Sequence, residues 1–332
     1  MTSYKGINLG GWLIAERWMT PDLFEGVKGD GEAALVIELG RDEAERRLRA
    51  HRDTFITERD IKWLADHRIN LVRIPFGYWL FERTQNFFDG ESHLVDVLKW
   101  CQKHNVKVVL DLHGLQGSQN GYDHSGRAGR IGFYWPWNRR AALRTLAYVC
   151  KTYGLHPQVV GIEVINEPKV NMLTQPLLLR YYARAIALVS RSTPQNVTVI
   201  VHDAFRPVAM ARALQKRGLI TERVVLDAHL YQVFRIRDNV MTLRQHITEV
   251  DAWNELLEQL NGTVSVMIGE WSAALRHTTY AIEGKDEAAG APRYFKAQQR
   301  VFAEQSWAHC YWSYKAPGAG TWDYRSRADF HS

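Results

Sequence analysis

The sequence predicts an α/β fold in which eight parallel strands alternate with helices and close into a single (β/α)8 barrel. Three observations lead there. Eight short apolar runs recur along the 332 residues with helical patterns between them, the alternation expected of a parallel sheet covered by helices. The C-terminal ends of these runs are unusually polar, and barrels of this (TIM) type place their chemistry at those ends. No repeat, low-complexity segment or Gly/Ser linker divides the chain, so residues 1–332 read as one domain. The chain exceeds the ~250 residues typical of such barrels, and its 46% hydrophobic content is enough for an extensive core.

The first strand is Gly6–Gly10, and the stretch at about 24–53 reads as an insertion with short helices of its own. Thr57, with Asp60 three residues on, resembles a capping box that opens a helix through His67. Strands follow at Asn70–Pro75, Lys107–Leu112, Val159–Asn166, Thr198–His202, Val224–His229, Val264–Glu270 and His309–Tyr314. Between them helical patterns fall near Ser92–His104, Arg139–Tyr153, Gln175–Ser190, Pro207–Lys216, Val240–Leu260 and Pro292–Glu304. Runs as continuous as Val159–Val164 belong to strands buried on both faces. Several helices carry a proline in the first turn, where its missing N–H costs nothing. A doubly wound open sheet would want a Gly-rich phosphate loop after strand one, and Gly6-Ile7-Asn8-Leu9-Gly10-Gly11 lacks that spacing.

Net charge is +6, but the densest positive stretch, Arg41 to Arg52, is interleaved with Asp42, Glu43 and Glu45. That is a solvated helix face, and it argues against a nucleic-acid partner. Cys101, Cys150 and Cys310 are odd in number, widely spaced and set among apolar residues, so buried thiols are expected rather than a disulfide framework. No metal-ligand spacing appears, and neither a metal nor a cofactor is expected. No run is long enough to span a membrane. The first strand begins at once, without a signal-peptide apolar region. As it stands the sequence therefore predicts a cytoplasmic protein, or a secreted or periplasmic one if a leader has been removed. Oligomeric state is not legible.

Two stretches carry the chemistry: Ile165-Asn166-Glu167-Pro168 and Ile268-Gly269-Glu270-Trp271, each ending an apolar run with a glutamate. A carboxylate at the mouth of a buried strand loses hydration, and nothing structural asks for it there. One such glutamate can simply pair with a nearby arginine. Two, on strands four and seven that face each other across a barrel, are what glycoside hydrolysis needs on either side of a sugar bond. The other strand ends add Arg73, Asp111 and His113, Asn166, His229 and Tyr231, and Trp312. Twelve Trp and fourteen Tyr offer flat faces for stacking pyranose rings, although several must fill the core.

With these residues assembled, the chain resembles the clan A (β/α)8 glycoside hydrolases, specifically family 5 in its exo-β-1,3-glucanase branch. The resemblance runs through Gly6–Trp12, Val72–Trp79, Asp111–Gly114, Gly117–Asp123, His202–Phe205, His229–Phe234 and Gly269–Leu275. It implies Glu167 as acid/base and Glu270 as nucleophile. Arg73 and Tyr231 would hold the Glu270 carboxylate, and His229 would sit beside Glu167. Asn166 would reach the sugar 2-hydroxyl, Trp312 would form the floor under that sugar and His113 would bind its hydroxyls. Tyr122 and Phe234 match an aromatic clamp for the departing sugar, Asp123 joins the binding set beside Tyr122, and Glu16 would contact the terminal sugar. The implied activity is retaining, exo-acting hydrolysis of β-1,3-glucan or β-glucoside substrates. Preference for β-1,6 or β-1,4 links, transfer to another sugar and a non-catalytic carbohydrate-binding barrel are the alternatives. A metal-dependent barrel hydrolase would want His-x-His after strand one, which is absent. The segment Arg276–Ala291 looks shorter than the loop that branch carries there, so a more open pocket is expected. Finally, the charge of Glu270 and burial are expected to raise the Glu167 pKa and keep it protonated near neutral pH.

Overall fold

The computed structural model describes residues 3–282, 284 and 286–331. Its eight strands are β1 (Tyr4–Asn8), β2 (Leu71–Gly77), β3 (Lys107–Gly114), β4 (Val159–Glu163), β5 (Thr198–His202), β6 (Val224–Leu230), β7 (Ser265–Trp271) and β8 (Ala308–Tyr311). They pair in sequence order, all parallel, and β1 pairs with β8 to close the barrel. The helices are α1 (Glu32–Leu39), α2 (Arg41–Phe55), α3 (Glu58–Asp66), α4 (Glu91–Lys103), α5 (Pro136–Tyr153), α6 (Gln175–Ser192), α7 (Pro207–Lys216), α8 (Leu243–Asn261), α9 (His277–Ile282) and α10 (Glu287–Gln305).

Local chemistry sets the helix starts. Thr57 N donates to the Asp60 carboxylate at 2.8 Å ahead of α3, and α5, α6 and α7 each carry a proline in the first turn. Helix α10 begins upstream of Pro292, because the Asp286 side chain accepts from Ala288 N and supplies the cap there. Helices α1 and α2 are joined by a buried ion pair, Arg52 to Glu32 at 3.1 Å, and the Trp79 indole, just past β2, donates to the same Glu32 at 2.8 Å.

Every C-terminal strand end but that of β5 lies one to three residues from the sequence expectation, and three of these shifts bear on the site. Strand β2 continues to Gly77, which makes Arg73 a mid-strand residue; β4 leaves the sheet after Glu163, before Asn166; and β8 stops at Tyr311. The apolar pattern runs on past the ladder in β4 because Val164 and Ile165 stay buried after their sheet pairing has ended.

Most of the core lies between the strands and their helices. The barrel interior is built differently, in tiers two residues apart, since alternate side chains of a strand share one face. Its lower tier is apolar, from Leu71, Val109, Ile200, Val225, Met267 and Cys310. Two residues further along the strands stand Arg73, Asp111 and Asp227, and Glu163 joins them from β4; all four are completely buried. The next step up β3 and β6 reaches His113 and His229, and there the site begins.

Candidate active site

Arg73 organises the polar tier. Its guanidinium reaches Glu163 at 2.7 Å, Asp111 at 2.9 Å and Glu270 at 3.1 Å. It also donates to Asn8 Oδ1 and Asn166 Oδ1, both at 2.9 Å. Burial pushes Asp111 up to about 7 and Glu163 well above the ordinary carboxylate range, in spite of the cation between them.

Glu167 sits just past β4, on a segment held by Val164 N to Ile200 O and Asn166 N to Leu112 O. Its φ of +42° lies in the left-handed region, a conformation costing on the order of 1–3 kcal/mol that concentrates at functional sites. Glu270 comes from β7, immediately after Gly269. That glycine is required: a Cβ there would meet the Asp227 carboxylate at 2.1 Å, while Gly269 N donates to Asp227 Oδ1 at 2.5 Å.

His229 links the two glutamates. Its Nδ1 lies 2.6 Å from Glu167 Oε1 and 3.5 Å from Glu270 Oε2, and its Nε2 faces Asp227 Oδ2 at 3.2 Å. The two glutamate oxygens are thus separated by no more than about 6 Å, below the ~6.5–9.5 Å that inverting glycosidases need to admit a water. Tyr231 completes the grip on Glu270 with a 2.9 Å hydrogen bond to Oε2.

Protonation in this cluster differs from the sequence expectation for Glu167. Burial opposes a charged imidazole, but Glu270, Asp227 and Glu167 outweigh it and hold the His229 pKa well above its usual value. Burial alone would raise Glu167, yet the hydrogen bond and charge of His229 reverse the shift and hold it well below the usual carboxylate range. The repulsion from Glu270 anticipated in the sequence is therefore overruled by an imidazolium in contact. Glu270 itself is raised, by burial first, with His229 opposing and the charge of Glu167 adding. The resting pair accordingly keeps its proton on His229, one hydrogen bond from Glu167.

The remaining expected residues divide into two groups. Glu16, His113, Tyr122, Asp123, Tyr231, Phe234 and Trp312 line, with both glutamates, a cavity of about 720 Å³. Arg73, Asn166 and His229 lie beneath it, fixing the groups above. His113 has both ring nitrogens engaged, by Asp111 at 2.7 Å and Asn166 Nδ2 at 3.2 Å, and its ring stacks near Trp312. It orients Asn166 in this arrangement and has no free donor for sugar. Burial and the charge of Asp123 raise the Glu16 pKa well above normal, and its carboxyl accepts from the Trp18 indole at 2.9 Å. Tyr122 and Phe234 are 49% and 68% exposed; they belong to the rim and do not fill the core.

Sequence reasoning missed several contributors. His124 Nε2 stands 3.4 Å from Glu167 Oε2, so an imidazole flanks each oxygen of that carboxylate. Trp18 and Trp322 meet edge to face at 5.4 Å, and Trp322 also packs beside Tyr231 and Phe234. Phe205 projects into the cavity from a left-handed turn, with Asp203 accepting its N–H at 2.6 Å. Asp227 did carry a signal: Asp227-Ala228-His229 repeats the spacing of Asp111-Leu112-His113, which puts carboxylate and imidazole on one strand face.

Glu167, His202 and His229 offer ligand atoms within 4.8 Å of one another. Their chemistry does not suit a cation. His202 Nδ1 accepts from Ala204 N at 2.9 Å, which leaves the proton on Nε2, and His229 is protonated as well.

Two carboxylates this close, at the C-terminal mouth of a closed parallel barrel and over an aromatic-lined cavity, define a retaining glycosyl hydrolase. Comparison with known proteins gives the family. Residues 41–318 match the family model Cellulase (glycosyl hydrolase family 5), and the chain belongs to that family. A Yarrowia lipolytica protein named glucan 1,3-beta-glucosidase is 32% identical over 98% of this chain and 86% of its own length. One from Schizosaccharomyces pombe, glucan 1,3-beta-glucosidase 1, is 31% identical over 96% and 84%. The Y. lipolytica alignment runs over 373 residues, more than the 332 of this chain, so that relative carries segments absent here. Among solved structures, the rutinosidase from Aspergillus niger superposes with a TM-score of 0.84 at 20% identity, over 100% of this chain and 98% of its own; it shares the fold.

Proposed function

We propose that the protein removes glucose from the non-reducing ends of β-1,3-linked glucan chains by double displacement, with Glu270 as nucleophile and Glu167 as acid/base. The observation that carries the mechanism is His229 bridging the two carboxylates. Glu270, gripped by Arg73 and Tyr231, attacks the anomeric carbon and forms a glycosyl ester, while the proton resting on His229 passes through Glu167 to the leaving oxygen. Glu167 then accepts a proton from the water that hydrolyses the ester. Asn166, oriented by Arg73 and His113, addresses the 2-hydroxyl, and the Glu16 carboxyl faces a terminal sugar. The named activity of the curated relatives supports the β-1,3 linkage. Product analysis tests the reading: laminari-oligosaccharides should lose single β-configured glucose units faster than gentio- or cello-oligosaccharides of equal length. Release of internal fragments, or α-glucose as first product, would refute it.

A proton held by the Glu167–His229 pair has a consequence for pH dependence. Loss of that proton should set the alkaline limb of kcat/KM, placed above neutrality by the raised His229 pKa. In His229→Asn the proton is left to Glu167 alone, whose ordinary pKa is about 4.3. The alkaline limb should then move to lower pH. An unmoved limb would show that His229 does not share the catalytic proton.

Tyr122 and Phe234 stand at the rim where the leaving sugar would lie. Replacing either with Ala should cost roughly threefold to tenfold in kcat/KM on oligosaccharides, the worth of one stacking platform. An aryl glucoside with a good leaving group should be hurt less. Equal losses on both substrates would remove the clamp role.

A further inference from the structure

A second cavity, of about 650 Å³, shares no lining residue with the catalytic pocket. The segment between β3 and α5 separates them. Tyr122, Asp123 and His124 face the pocket, whereas Ser125, Arg127 and Arg130 from the same segment face the second cavity. At one end of that cavity Trp135 and Trp137 lie nearly parallel, 8° between planes and 5.1 Å between centroids. They are 46% and 60% exposed. Among the described residues neither ring contacts another aromatic side chain, so they do not extend the core.

The pair is held rigidly. Trp135 caps α5, Pro136 fixes the first helical residue, and Trp135 N donates to Gly132 O at 3.1 Å while Trp135 O accepts from Arg139 N at 3.2 Å. A platform fixed in this way loses little freedom on binding. Around it stand neutral and cationic donors: the Gln85 and Asn86 amides and the Arg127 and Arg130 guanidinium groups, with no carboxylate lining the cavity. Flat apolar faces bordered by amides and guanidinium groups match a pyranose, whose C–H face stacks while its equatorial hydroxyls seek hydrogen bonds at the edge. The platform is also tied to the catalytic rim, because the Tyr134 hydroxyl donates to Lys169 O at 2.7 Å and the Lys169 ammonium lies 5.8 Å from the Tyr122 ring.

We propose that Trp135 and Trp137 form a second carbohydrate-binding platform, which holds polymeric β-glucan outside the catalytic pocket. The choice of β-glucan rests on the proposed function above. The platform raises the local concentration of chain ends near the pocket and takes no part in bond cleavage.

The test uses the full chain in two settings. In native gels containing laminarin, the inactive Glu270→Gln protein should be retarded, and adding Trp135→Ala with Trp137→Ala should weaken the affinity roughly threefold to tenfold. In the active enzyme the same two substitutions should raise KM for laminarin and leave kcat/KM for an aryl β-glucoside and for laminaribiose unchanged. Trp135→Phe should retain most of the retardation, since the flat face remains. Unchanged retardation in the double variant would overturn the proposal. So would equal retardation of the parent by dextran or an acidic polysaccharide, a parallel loss of aryl-glucoside activity and melting temperature, or a dimer that the substitutions dissociate. Failure of the linkage reading is seen separately, in the products from small oligosaccharides, which do not depend on the platform.

Discussion

Glu270→Ala should lower unaided hydrolysis of an aryl β-glucoside by on the order of 10⁴-fold or more, and azide should restore cleavage with α-glucosyl azide as product. The carboxylate lies within the grip of Arg73 at 3.1 Å and Tyr231 at 2.9 Å. Truncation to Ala leaves a small space on the α-face of the sugar, lined by the same cation and hydroxyl, into which an anion fits. Glu167 remains on the opposite side of the bond, so attack comes from one face only and the configuration inverts once. Nuclear magnetic resonance of the product reads the anomer directly. Substantial unassisted turnover, or a β-azide, would remove Glu270 from the nucleophile role.

Arg73→Met should cost about 3–5 kcal/mol of stability, the usual penalty for removing one partner from a buried ion pair. That corresponds to a fall in melting temperature on the order of 10 °C. The side chain is completely buried among Asp111, Glu163 and Glu270, so its loss leaves acidic groups facing each other without a cation. The deficit should depend on pH, with a definite sign. Asp111 is already raised to about 7 and Glu163 well above its ordinary range, and losing Arg73 drives both higher. A carboxyl whose folded pKa exceeds its unfolded value loses stability as pH rises through that interval. The variant's deficit should therefore be smallest up to about pH 7, where these carboxyls are protonated in both folded proteins, and should widen as pH rises above 7 through the interval between the parent's Asp111 pKa and the higher value in the variant. Denaturant titrations at a series of pH values measure the difference; a gap that is constant with pH would mean that the carboxyls are not what Arg73 stabilises.

The strands were legible because a parallel barrel needs segments buried on both faces, and runs such as Val159–Val164 leave no other period to choose. Glu167 and Glu270 were legible for a related reason: each is an ionisable group where burial removes water. The limits of the reading are equally physical. Arg73 has no local mark distinguishing a mid-strand ion-pair hub from a strand-end residue; only the register of β2 against β3, with Pro75 beside Asp111, shows how far the strand continues. Trp18, His124, Phe205 and Trp322 reach the cavity from loops whose paths no periodicity describes. The protonation of Glu167 turns on a 2.6 Å contact with a residue 62 positions away, and burial or spacing alone predicts the opposite sign.

The two-residue step between the tiers of the barrel interior also bears on how the chain finds its fold. Displacing β3 or β6 by a single residue would turn every side chain of that strand to the other face. Asp111 and His113, or Asp227 and His229, would then point into the greasy seam beneath the helices, without the guanidinium or the glutamates that satisfy them. Their apolar neighbours Leu112 and Ala228 would meanwhile face the charges inside. A misthreaded barrel thus strands an acid and an imidazole in hydrocarbon, at a cost of about 1–3 kcal/mol for each polar group left without a partner. The buried acids and imidazoles that hold the site's groups in place would also penalise slipped pairings, and a variant in which Asp111 and His113 are replaced by apolar residues should tolerate register shifts that the parent rejects.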